Sequence, residues 1–339
     1  MEGWIRNAER SYWRSLAWPF SAVLTIAVAT TLPNAAIADE GGLSFWLPGL
    51  YGSLSSVPGV PGWSFATLYY HSDISAGGNK TFPQGGEIRA GLAGRADIVA
   101  YGPTYIFEEP VLGGQAAFSL LGIVGNTEAS VDATLTGPGG KTVSGHLSQS
   151  LFSYGDVLPQ ATLKWNEGVN NFMLYATGDI PVGDYDEHRL ANAGLGHGAI
   201  DGGAGYTYFD PKTGHEFSVA AGLTYNLENE HTHYQNGIDA HIDWGASQFL
   251  SEQVHVGLVG YYYQQLTGDS GEGATLGDFI SSVAGIGPQI GYIFPAGDMQ
   301  GYVNLKGYYE FEAENRPQGW NVWLTLAFSP KAPPAAPMK

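Results

Sequence analysis

Asp239, His241 and Asp243 stand at alternate positions of this chain. An imidazole between two carboxylates on one face of an extended segment could bind a cation or polarise a ligand hydroxyl. The plainer reading, a hydrogen-bonded polar lining, weighs more. Lys306, Glu310 and Glu312 could pair across neighbouring segments and brace a wall. His231 and His233 have H-x-H spacing without a third ligand close by in sequence, so no metal is expected there. Residues 268–273, with Asp269 and Glu272, lack the spacing of a calcium loop and read as a mobile acidic loop. The chain has no Cys, and neither a phosphate loop nor a nucleophile elbow occurs. No cofactor is expected, and catalysis is not. An outer-membrane enzyme of lipase or protease type remains the alternative, supported only by the Asp–His grouping.

Residues two apart share a face only if the chain is extended, so strands must carry these groups. Residues 204–208 alternate Ala, Tyr and Tyr with Gly and Thr; Asp210-Pro211-Lys212-Thr213-Gly214 then turns the chain. Phe217, Val219, Ala221, Leu223, Tyr225 and Leu227 follow, alternating with small and polar residues. This is a β-hairpin with one greasy, aromatic face. Its runs have the roughly 9–11 residues a tilted strand needs to cross a bilayer.

The composition agrees with that reading. Charged residues make up 14% and aromatics 13%, with 49 Gly, against averages of about 25% charged and about 7% Gly. A net charge of −18 excludes a phosphate-binding face, so no nucleic-acid partner is expected. No blade-like repeat supports a propeller.

Twelve strands are expected, near 63–72, 95–108, 114–126, 153–166, 169–180, 199–210, 215–228, 237–250, 253–266, 283–294, 299–313 and 319–328. Connections after even strands are short, at 109–113, 167–168, 211–214, 251–252 and 295–298. Most after odd strands are long, including 73–94, 127–152, 181–198 and 267–282. Outer-membrane barrels sort their connections this way, with short turns in the periplasm. The expected fold is therefore an all-β transmembrane antiparallel barrel over 62–328, with both termini periplasmic.

Charge decides which face meets lipid, because a Lys there at mid-bilayer costs about 2–4 kcal/mol. Lys306 must look inward, together with Tyr302, Tyr308, Glu310 and Glu312. By the same alternation Asp239, His241, Asp243, His255, Tyr261, Tyr263, Lys164, Gln160 and Trp323 line the lumen. Trp165, Tyr208, Tyr225, Trp244 and Phe294 read as lipid-facing or interfacial. Inward Tyr70, Tyr175, Tyr261, Tyr263, Tyr302, Tyr308 and Trp323 form either a stacking path for aromatic cargo or lumen filling and interfacial girdles. Both readings stay open.

Residues 1–38 read as a secretory signal, with Arg6, Arg10 and Arg14, an apolar core over 16–32 and Ala36-Ile37-Ala38 before the cut. Residues 39–61 hold too much Pro and Gly for regular structure. They are either a periplasmic leader or an apolar segment, with Phe45, Trp46, Leu47 and Tyr51, tucked into the lumen. Residues 329–339 read as a disordered Pro/Ala tail.

The run Ser44-Phe45-Trp46-Leu47-Pro48-Gly49-Leu50-Tyr51-Gly52, then Pro58-Gly59 and Pro61-Gly62, then Tyr69-Tyr70 opening a barrel, resembles the phenol meta-cleavage pathway outer-membrane family. The likeness runs from Gly41 to Phe328. It implies an outer-membrane channel of a Gram-negative bacterium, passing small, often hydrophobic or aromatic molecules by diffusion. The last strand, ending at Phe328, resembles the one that the outer-membrane assembly machinery reads, although that signal normally ends the chain. The partners implied are the bilayer, that machinery and a small-molecule cargo. A barrel whose long loops bind surface partners is the third reading.

Overall fold

The computed structural model describes residues 44–81, 87–275 and 280–331. The signal expected over 1–38 and the tail beyond 331 lie outside them. Twelve strands run through the described residues: β1 (Gly62–Thr81), β2 (Glu87–Ile106), β3 (Gln115–Thr136), β4 (Thr142–Glu167), β5 (Asn170–Asp179) and β6 (Ala199–Asp210), then β7 (His215–Asn226), β8 (Asp239–Phe249), β9 (Val254–Gln265), β10 (Ser282–Ala296), β11 (Met299–Glu314) and β12 (Gln318–Pro330). Each pairs with its chain neighbours, and β1 pairs with β12 to close a barrel. Tyr70 faces Trp323 across that seam, and Ala204 faces Ala221 across the β6–β7 hairpin. Closure gives every strand a neighbour on both sides, as lipid requires, although β4 meets β5 only over Gln160–Glu167.

Two expectations change. The connections read as loops at 73–94 and 127–152 are largely strand: β1 runs to Thr81 and β2 starts at Glu87, while 137–141 separates β3 from β4. The reading relied on apolar alternation, which reports a face buried or in lipid. Thr142–Ser148 is exposed at every position, so its ladder needs no greasy side. Gly77–Leu92 and Val131–Leu147 belong to a compact unit of their own. Within it Asp132 Oδ1 meets His146 Nδ1 at 2.7 Å, and Thr134 and Ser144 hydroxyls pair at 3.1 Å.

Glu312 does not face inward. It is exposed with φ of 54°, and the β10–β11 register shifts between Ser282 and Ala284, which oppose Glu314 and Phe311. One extra residue on β11 is a β-bulge, and it reverses the faces beyond it. Ala313 turns in against the aromatic core instead.

The second unit takes in the described residues of Ile37–Ala76, Ala93–Ser130 and Ser148–Lys339. Its strands split cleanly by face. On β8 Asp239, His241, Asp243 and Ser247 are buried while Ile242 is exposed. On β9 His255, Val259, Tyr261 and Tyr263 are buried, and Leu258 and Tyr262 are exposed. Leu223, Tyr225, Ile290, Tyr292, Leu305, Tyr309, Trp320 and Leu324 continue this exposed apolar surface. A protein in water rarely shows so much connected apolar surface, whereas a bilayer requires it.

Candidate functional site

The site is the lumen, and the residues that shape it come from two sources. The inward side chains of the strands are one. The other is segment 44–61, which has no strand of its own and hydrogen-bonds to inward side chains around the barrel.

Gly49 and Tyr51 N–H groups donate to the Asp243 carboxylate at 2.9 and 3.1 Å. Lys306 Nζ donates to the carbonyls of Gly49 at 2.6 Å, Leu50 at 3.1 Å and Tyr51 at 3.4 Å. The Tyr308 hydroxyl adds a bond to the Gly49 carbonyl at 3.3 Å. A carboxylate for the N–H groups and an ammonium for the carbonyls satisfy a backbone turn that would otherwise be buried unpaired. Further along, Leu54 N–H donates to Glu216 Oε1, Ser56 N–H to Thr207 Oγ1 and Lys164 Nζ to the Val57 carbonyl. Gln289 Nε2 reaches Ser53 Oγ at 2.7 Å. Gly245 is needed where the segment crosses β8, since a Cβ there would stand 2.8 Å from Ser53 N.

Trp46 is fully buried and lies flat on His241, ring centroids 3.7 Å apart and planes 13° apart. Tyr51 meets Tyr175 edge-on at 5.3 Å, and Gln160 Nε2 donates to the Tyr51 hydroxyl at 3.2 Å. His241 Nε2 is 2.9 Å from Asp201 Oδ2, which also accepts from Thr224 Oγ1 at 2.6 Å. Phe45 lines the cavity described below, and Leu47 packs against the larger aromatic cluster.

The inward residues singled out by alternation are buried, except Tyr302, Lys164 and Gln160, which are half-buried, and Glu312, which is exposed. They form two clusters. One gathers Tyr70, Tyr261, Tyr263, Tyr308 and Trp323, with Tyr70 and Trp323 rings 4.6 Å apart. Lys306 Nζ sits 5.5 Å from the Trp323 ring centre. The other gathers Trp46, Met173, Tyr175 and Ala220. The rest are taken up in polar bonds: Asp239 accepts from Asn226 Nδ2 at 2.8 Å, and His255 bonds Ser247 Oγ at 3.2 Å and the Tyr302 hydroxyl at 3.1 Å. Lys306 and Glu310 do not brace one another. Lys306 serves the segment, while Glu310 accepts from the Tyr261 hydroxyl at 2.7 Å and Gly319 N–H at 2.9 Å.

The acidic loop also differs from its reading. Asp269 is buried and accepts from the Tyr234 hydroxyl at 2.5 Å, Gln265 Nε2 at 2.7 Å and Gly237 N–H at 3.1 Å, tying two connections together. His233 bonds Glu228 while the His231 ring lies 5.8 Å from that of Tyr185, tilted by 40°, so the H-x-H pair diverges. Among the described residues no group of three His, Asp or Glu side chains is placed to hold a metal.

Asp201, Glu216, Asp156 and Asp179 are buried acids that the alternation argument passed over. For Asp201 and Glu216 the signal was present: each shares the inward face of its hairpin with Thr207 or Ser218. Asp156 accepts from Gly183 N–H and Leu195 N–H, both at 2.7 Å, and so pins the 180–198 connection. Beside it opens a cavity of about 130 Å³ with mostly apolar walls, including Phe45, Trp46, Leu68, Ile98, Leu121 and Trp323.

A family model described as "Putative MetA-pathway of phenol degradation" matches residues 77–326. The chain belongs to that family. Among solved structures, an outer membrane channel from Pseudomonas putida F1 shares 12% identity at a TM-score of 0.55, over 83% of this chain and 98% of that one. That similarity is one of fold, a closed antiparallel β-barrel. A Pseudomonas aeruginosa FadL homologue (8% identity, TM-score 0.37, 78% and 89% covered) and the monoaromatic hydrocarbon channel CymD (7%, 0.34, 80% and 89%) are more distant. No curated protein matches this chain.

Proposed function

We propose that the chain is an outer-membrane channel through which small hydrophobic or aromatic molecules diffuse, with segment 44–61 narrowing its lumen. The observation that supports this most is how the lumen is divided. Segment 44–61 bonds to inward side chains of many strands, and beside it an apolar cavity of about 130 Å³ is left. A barrel of 12 strands is already narrower than a porin of about 16–18. Water and ions would find a poor path past Trp46 and its neighbours, whereas a small apolar solute meets walls it wets. The net charge of −18 disfavours anions as well.

In this reading both termini are periplasmic, the short turns face the periplasm, and residues 1–38 direct export. The strand ending near Phe328 is the contact for the assembly machinery. Purified chain in liposomes, followed for phenol uptake, tests the proposal. Uptake faster than in empty liposomes, with ion conductance far below a porin's, is expected. Uptake no faster than in empty liposomes overturns it.

A further inference from the structure

The cavity beside segment 44–61 carries one feature that a plain apolar passage does not need. Asp179, at the end of β5, lines it, is 8% exposed, and has no hydrogen-bond partner for either carboxylate oxygen. A buried carboxylate left without a donor is costly, so a second component that supplies one is stabilised there. Apart from two indoles, the other polar wall groups are already engaged. Both Asp156 oxygens accept from the 180–198 backbone, Thr127 Oγ1 donates to the Asn192 carbonyl, Thr177 Oγ1 to the Pro159 carbonyl, and Gln160 Nε2 to the Tyr51 hydroxyl. Trp46 and Trp323, also in the wall, have indole N–H groups buried without an acceptor.

Size narrows the ligand. At about 130 Å³ the cavity is close to the engineered apolar cavity of about 150 Å³ that takes up benzene. We infer that this cavity is a binding site for one neutral monocyclic aromatic bearing a hydroxyl, whose O–H donates to the Asp179 carboxylate while its ring lies among the Leu, Ile and Trp side chains. The inference rests on the channel reading but adds a specific station within it. Carboxylated aromatics are rejected, because no Lys or Arg among the described residues lines the cavity and a buried carboxylate would lose its water without gaining a cation.

Calorimetric titration of the full chain in detergent micelles tests this, with phenol, its methyl ether anisole and benzoate as probes. Saturable phenol binding is expected, with anisole at least tenfold weaker and benzoate undetectable. Asp179→Leu brings phenol down to the level of anisole, and Asp179→Asn lowers the phenol preference at least threefold. Ala100→Phe, which fills the cavity from β2, abolishes binding of both. Heat-modifiable gel migration reports whether each variant is a folded barrel. Equal binding of phenol and anisole by the parent chain, or a phenol preference that survives Asp179→Leu, overturns the site. Phenol uptake into liposomes without saturable binding would leave the channel standing and remove the site. Binding without uptake would do the reverse.

Discussion

Asp243 on β8 and Lys306 on β11 grip the same turn from opposite sides, the carboxylate taking the Gly49 and Tyr51 N–H groups and the ammonium taking the Gly49, Leu50 and Tyr51 carbonyls. Two charges from strands far apart in sequence thus become partners through a third piece of chain. Hydrogen bonds to charged groups contribute about 1.5–3 kcal/mol each. Lys306→Met and Asp243→Asn should each lower the unfolding free energy by about 2–4 kcal/mol, because the turn's polar groups stay buried. The double variant should lose less than the sum of the two. Urea unfolding in micelles, followed by tryptophan fluorescence, measures the cycle; strict additivity would show that the two residues do not share the turn.

Trp46→Ala removes the ring stacked on His241. A loss of about 3–5 kcal/mol in segment docking is expected for deleting a buried Trp. The barrel ladders remain, so the variant should still migrate as a folded barrel while single-channel conductance in planar bilayers rises severalfold. Conductance equal to that of the parent would show that the segment does not limit the passage.

Gly49 has φ of +89°, and a Cβ on it would stand 2.9 Å from the Tyr308 ring. Gly49→Ala therefore combines a left-handed backbone, a cost of about 1–3 kcal/mol, with a steric clash. Limited proteolysis should cut within 44–61 at least tenfold faster than in the parent, without cleavage of the barrel strands.

Asp184 lies in the 180–198 connection, where Arg189 donates to it at 2.5 Å and the Ser153 hydroxyl at 2.8 Å. The guanidinium bond, followed by the serine, holds its carboxyl below the usual carboxylate range. A depressed folded-state pKa contributes order to the loop above the ordinary value of about 4, and that contribution fades as pH falls through the lower folded value. Amide exchange at Ala193 and Gly194, which bond the Asp184 carbonyl, should be unchanged down to about pH 5 after correction for intrinsic rates, and accelerate in more acid solution. Asp184→Asn should show the fast exchange at every pH.

The exposed apolar face carries its own test. Leu258→Lys puts an ammonium on the lipid side of β9 and should cost about 2–4 kcal/mol if the position is near mid-bilayer. Refolding into liposomes should fall measurably, whereas the lumen already accommodates Lys306 on the other face.

Much of this protein follows from period two. A side chain's face is set by whether its position is odd or even, so composition and alternation alone separated the lipid side of β8, β9 and β11 from the lumen side and placed Lys306, His241 and Tyr261 within. That argument runs only as far as the hydrophobic contrast does. It stopped short on β3 and β4, where both faces of Thr142–Ser148 are exposed, and it failed past the bulge at Glu312, where one extra residue reverses the phase. Pairings across the lumen were decided by tertiary structure alone. Nothing near Asp243 in sequence says that it holds Gly49, 194 positions away, or that Asp179 is left without a donor while Asp156 is satisfied. Local pattern reports which way a side chain points. What it meets there depends on barrel closure, on strand register and on the path of an irregular segment whose backbone must find its partners in whatever side chains surround it.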